Sequence, residues 1–148
     1  MGFDAGNFSG WSGTYGYTVR DGATGAATPI YTPYIYSTVS PMHTITSGAG
    51  VDPVGGFPVV APGGGSNSMM LGDGVTAGFG GATLEQTFSV TAANALLTYQ
   101  YAVVIQDANS GASVHTAVQQ PFFKIEVFDC VGNPIVCGQY LVVGVHGL

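Results

Sequence analysis

The sequence predicts an all-β protein, an antiparallel β-sandwich. Three observations carry that expectation. Apolar and polar side chains alternate with a period of two over several short stretches, as half-buried strands require. Gly, Pro, Asn, Asp and Ser punctuate those stretches, as turns require. No stretch carries the apolar spacing of a helix.

The clearest rows lie between Ala82 and Tyr140. Leu84, Gln86, Phe88 and Val90 share one side of a strand, with Glu85, Thr87, Ser89 and Thr91 on the other. Tyr99, Tyr101, Val103 and Ile105 repeat the pattern. Ala102 and Val104 make the opposite side apolar too, so this strand is expected to be central and covered on both faces. Phe123, Ile125 and Val127 form a third inward row with Lys124 and Glu126 outward, and Tyr140 to Val145 supplies a fourth.

Upstream, Gly2 to Trp11 reads as a short strand or loop, and Tyr15, Tyr17 and Val19 as a strand. DGATGAAT (Asp21 to Thr28) is rich in turn residues. Ile30 to Val39 is β-prone but carries Pro33, which cannot donate to a ladder, so an edge strand or extended segment is expected. Ser40 to Gly81 is dominated by Gly, Pro, Ser and Thr. Long structureless loops are uncommon in compact domains, so at least one strand is expected there, around Ser66 to Leu71. Asn94 to Leu97 reads as a turn and Asp107 to Gln119 as a polar loop. No repeat and no domain boundary is visible, and residues 1–148 are expected to form one module.

The 148 residues suffice for a domain burying roughly 70% of its unfolded surface. Charged residues are only 7% of the chain, against about 25% in an average soluble domain. Hydroxyls, amides and 24 glycines take their place. This suits an extracellular module packed beside other modules or copies of itself, and equally a secreted domain with a neutral surface. The net charge is −6, and Arg20 and Lys124 are the only basic residues. Nucleic acid and anionic membranes are therefore disfavoured partners. No apolar run approaches the ~18 residues of a membrane span. MGFDAGNFSG lacks the basic start and apolar core of a secretion signal, and is expected to continue a longer chain.

Cys130 and Cys137 flank V-G-N-P-I-V. A hairpin centred between Asn133 and Pro134 would set them opposite each other, with Cβ atoms about 4.5–5.5 Å apart before adjustment, near disulfide reach. A disulfide is expected; two reduced thiols are the alternative.

GFDAGNFSGW (Gly2 to Trp11) resembles the G-F-E-x-G-x-F-x-G-W opening of jelly-roll modules of the MAM and carbohydrate-binding class. His43-Thr44-Ile45, Asp52-Pro53, PGGGSNSMMLGD (Pro62 to Asp73), TFSVTAANALLTYQYAVV (Thr87 to Val104) and QQPFFKIEVFD with CGQY then resemble modules of large Bacteroidetes surface adhesins. These include gliding-motility proteins exported by the type nine secretion system. The resemblance implies a secreted, cell-surface location and non-enzymatic adhesion. It also implies a calcium ligand at Asp4, helped by carbonyls such as that of Gly2. Modules of this group continue past Tyr140 with a Trp-containing segment and a last strand like F-G-Y-A-Y-I-D. That segment is missing here, so the sandwich is expected to lack its last strands and to belong to a larger chain or assembly.

Trp11 is expected in the core by its G-W context. Tyr15, Tyr17, Tyr31, Tyr34 and Tyr36 are the candidate contact row for glycan or protein, since tyrosine is amphipathic. Asp52, Asp73 and Asp129 read as turn formers. His43, His115 and His146 are too dispersed to suggest zinc, which needs three or four converging ligands. Enzyme chemistry finds little support. The only glutamates, Glu85 and Glu126, fall on outward strand faces, whereas glycosidases need converging carboxylates. There is no G-x-S-x-G elbow, and neither GGFP nor PGGG opens a helix that would cradle phosphate. The expected function is non-enzymatic adhesion or structural contact at the cell surface. The alternatives are a calcium-dependent carbohydrate-binding module of a secreted hydrolase, and a structural subunit of a filament or viral coat.

Overall fold

A computed structural model describes residues 2–20, 27–35, 42–74, 80–106 and 120–144. Among these the regular structure is β-strand with two short 3₁₀ turns, at Ala92–Asn94 and Val136–Gly138. The chain divides into two compact units, Met1–Ala102 and Val103–Leu148.

The first unit holds two antiparallel sheets. β1 (Ser12–Arg20) is flanked by β2 (Ala27–Ile35) and β5 (Gly80–Glu85), in the order β2-β1-β5. β3 (His43–Ser47) pairs with β4 (Asn67–Leu71). β1 and β4 fall where the alternation and the composition place them; β2 takes in Ile30 to Ile35 of the β-prone stretch but begins at Ala27, inside the segment expected to be a loop. Pro29 and Pro33 lie on β2, opposite Thr18 and Thr14, on a strand at the border of its sheet, as residues without an N–H require. β3 was not anticipated: it lies in the Gly/Ser/Thr-rich stretch, and only Ile45 interrupts its polar residues.

β1 and β5 approach unusually closely. Gly13 stands opposite Leu84, and a Cβ added to Gly13 would collide with the Thr83 carbonyl. Thr14 and Thr83 are opposite each other; the Thr14 N–H donates to Thr83 Oγ1 (3.0 Å), and the two hydroxyls share a 2.9 Å hydrogen bond. Between β3 and β4 the chain makes a smaller turn, with Val51 bridged to Pro58. Thr46 Oγ1 ties it down by donating to the carbonyls of Val59 (3.0 Å) and Ser68 (3.2 Å).

The expected strand from Leu84 to Val90 begins earlier and ends sooner. Its ladder to β1 stops at Glu85, opposite Ser12, because the chain before Ser12 coils into turns and offers Gln86 no partner. Gln86 and Phe88 still alternate half-buried with exposed Thr87 and Ser89. The expected central strand from Tyr99 to Ile105 is a correction. It belongs to no ladder among the described residues, and Val104 is 48% exposed. The boundary between the units falls inside it, after Ala102.

The second unit is built on β6 (Phe122–Ile125) and β7 (Tyr140–Val143), an antiparallel pair. The Gly144 N–H donates to the Pro121 carbonyl, and Phe128 bridges to Pro134, so the hairpin runs past both strands. Phe123, Ile125 and Val127 are half-buried, while Phe122, Lys124, Glu126 and Phe128 are exposed, as the alternation predicts. A Cβ on Gly138 would lie 2.5 Å from Val127 Cβ. Gly138→Ala is therefore expected to cost about 1–3 kcal/mol by overpacking, and a thermal melt of the variant checks it. An unchanged melt would show that this turn yields freely.

Candidate functional site

The N-terminal segment closes over the buried start of β3. Met42 and His43 (4% exposed) are the buried large side chains among the described residues. Asn7 Oδ1 accepts the Ser9 N–H at 2.9 Å, and the Trp11 N–H donates to the Phe8 carbonyl, so the segment is a succession of turns. These turns bring its aromatics together. Phe3 stacks on Trp11 at 4.9 Å between ring centroids, Phe8 meets Phe3 edge-on at 6.2 Å, and Phe8 meets the His43 ring at 6.2 Å and 89°. Offset and edge-on pairs of this kind each contribute about 0.5–1.5 kcal/mol beyond their buried area. Trp11 thus packs in a cluster and is half-buried where a core position was expected, with its Nε1 buried without a hydrogen-bond partner.

His43 Nε2 lies 2.7 Å from the Thr83 carbonyl, joining β3 to β5. A carbonyl only accepts, so this nitrogen carries the proton. Burial lowers the His43 pKa below its ordinary value, and the bond to Thr83 offsets part of that. The ring is thus held neutral at neutral pH. His115 and His146 lie outside the described residues.

Asp4 is hydrogen-bonded to the loop before β4. Its Oδ1 accepts the Ser66 N–H at 3.2 Å, and its carbonyl accepts Asn67 Nδ2 at 3.2 Å. Gly65, at φ +106°, turns the loop so tightly that a Cβ there would collide with Asp4 Oδ1. Gly2 lies alongside, its Cβ position 3.6 Å from Asp4 Oδ2. The described contacts of Asp4 form a latch between the N-terminal turns and the loop that carries Ser66 and Asn67. Asp4→Ala is expected to destabilise the first unit by about 1–2 kcal/mol, the scale of a charge-assisted hydrogen bond, equally in calcium and in EDTA. A melting temperature that rises with calcium in the wild type and not in the variant would support the calcium reading.

Asp52 and Asp129 are turn residues, as expected. Asp52 Oδ1 accepts the N–H groups of Val54 (3.0 Å) and Gly55 (2.6 Å). Asp129 accepts the N–H groups of Val131 and Asn133 on Oδ1 and Asn133 Nδ2 on Oδ2. Those bonds from Asn133 lower its pKa.

The same turn moves the hairpin centre. Phe128 opposes Pro134 and the Ile135 N–H donates to the Val127 carbonyl, so the turn spans Asp129 to Asn133 rather than centring between Asn133 and Pro134. Cys130 then sits at the tip and Cys137 in the 3₁₀ turn. They are not cross-strand partners, and both thiols are exposed and free. The Asp129–Asn133 bonds set this register, a side-chain preference that the Cys spacing does not reveal.

Of the five candidate contact tyrosines, Tyr15 and Tyr17 lie on β1 opposite Thr32 and Ile30. On β2, Tyr31 is opposite Gly16 and Tyr34 opposite Gly13. By register Tyr34 shares a parity with Tyr15 and Tyr17, and Tyr31 has the other. Tyr36 lies outside the described residues. A second aromatic pair went unnoticed as a contact site. Tyr99 and Tyr101, both exposed, hold their rings 6.1 Å apart, while Gln100 between them approaches the Gly64 turn. Two tyrosines two residues apart in an extended stretch were the available signal.

No protein family, curated protein or solved structure matches the chain.

Proposed function

We propose that this chain is a non-enzymatic contact module of an extracellular surface protein, built as a jelly-roll β-sandwich that is completed within a larger chain or assembly. One observation carries the reading: an all-β chain with only 7% charged residues displays large apolar and aromatic side chains between hydroxyls and amides. Tyr99 and Tyr101 on the first unit and Phe122 and Leu141 on the second are exposed in this way. A few anchors, tyrosine prominent among them, carry most of the energy of contact surfaces. A surface with few charges also loses little to desolvation when it is covered. The resemblance of Gly2 to Trp11 and of the central run to surface adhesin modules supports the same reading. Either glycan or protein is a suitable ligand class for such a surface.

The test uses the purified chain immobilised on beads. Retention on cell surfaces or on a glycan array, with no turnover in glycosidase and esterase assays, is the expected result. Hydrolysis of any of those substrates, or beads that bind no surface at all, would overturn it.

A further inference from the structure

The exposed face of the second unit carries a row that is complementary to itself. Phe122, Lys124, Glu126 and Phe128 follow one another at every second residue, all on the exposed side, with Phe122 at 62% and Phe128 at 51% exposure. Leu141, opposite Lys124 and 57% exposed, and Val143, opposite Phe122, widen the same face. Lys124 is one of only two basic residues in the chain. It stands at the middle of this apolar face, with its Nζ 2.8 Å from Glu126 Oε2.

We infer that this face pairs with the same face of a second copy of the chain. Consider a two-fold axis lying between the two sheets, perpendicular to β6 and level with Ile125. It brings the sheets face to face with their strands antiparallel. Phe122 then lies over the partner's Phe128, and Lys124 over the partner's Glu126. Each contact occurs twice, as an isologous interface demands. Face-to-face sheets keep their strands nearly aligned, which this operation satisfies. An axis parallel to the strands would instead set Lys124 over the partner's Leu141, burying a charge against an aliphatic chain. The charges thus choose between the two packings, and the aromatic ends supply the area to be buried. Cross-interface bonds are added to the ion pair that each copy already holds, so neither charge is left alone when water is displaced.

This pairing draws on Phe122 and Leu141, which the contact reading also cites, yet the two fail separately: a strictly monomeric chain would end the pairing and leave surface contact through Tyr99 and Tyr101 untouched. Sedimentation equilibrium of the full 148-residue chain tests it. The wild type is expected to show a concentration-dependent dimer, weakened at least tenfold by Lys124→Glu, which sets four carboxylates at the axis, and likewise by Glu126→Lys, which sets four ammonium groups there. Mixing the two variants is expected to regenerate a one-to-one dimer, because each then meets the opposite charge. Circular dichroism matching the wild type confirms that the single variants are folded. Phe122→Ser is expected to weaken both the wild-type dimer and the mixed dimer. A wild type that stays monomeric at millimolar concentration overturns the inference, as does a dimer indifferent to both charge reversals or a mixture that does not associate.

Discussion

Lowering the pH from 7.5 to 5 is expected to destabilise the first unit, and His43→Leu is expected to abolish most of that dependence. His43 is 4% exposed, with its Nε2–H committed to the Thr83 carbonyl. Burial holds its pKa below the ordinary value, which is about 6.5 in an unfolded chain. The unfolded chain therefore takes up a proton before the folded one does. The stabilisation from a neutral buried His43 is fully present above the unfolded value and declines as the pH falls through it, levelling off only below the folded value. Urea unfolding at a series of pH values measures the slope. The difference between the wild-type and variant profiles measures the part due to His43. Superimposed profiles would show that the ring is solvated. His43→Ala at pH 7.5 is expected to cost about 2–4 kcal/mol, like other large-to-small core substitutions, because it removes the ring against which Phe8 packs.

Gly13→Ala is the second large effect. The obstacle is not backbone strain but space: an added Cβ would meet the Thr83 carbonyl, which also accepts from His43. Backbone cannot turn aside as a flexible side chain can, so β1 must move away from β5 and loosen the Thr14–Thr83 hydrogen bonds. A cost of about 1–3 kcal/mol is expected from overpacking, which lowers the melting temperature by roughly 10 °C for a unit of this size. Ser47→Ala, at the exposed end of β3, serves as the control and is expected to leave the melt unchanged. A Gly13→Ala protein that melts with the wild type would mean that the two strands already stand further apart.

The two predictions converge on Thr83, which no pattern singled out. A threonine in an alternating strand reads as an ordinary outward residue. Its importance arises because three segments distant in sequence meet there: Gly13 and Thr14 from β1, and His43 from the unanticipated β3. Sequence separation hides such a meeting. Composition likewise disguised β3, which pairs with β4 through a backbone ladder to which the Thr46 hydroxyl adds a bond to the Ser68 carbonyl.

The alternating residues of 84–88 and 122–128, the proline-bearing edge of β2, the aspartate turns and the packed Trp11 were all legible in the chain itself. Each follows from local chemistry: a strand's period of two, a missing N–H, a short carboxylate beside its own backbone. Three matters were decided by the folded chain alone. The 99–105 stretch joined no ladder, the cysteines fell out of register, and Asp4 met N–H donors from a loop some sixty residues away. The physical reason is common to all three. Alternation says which residues share a face, but only long-range packing decides which strand, turn or loop that face will meet.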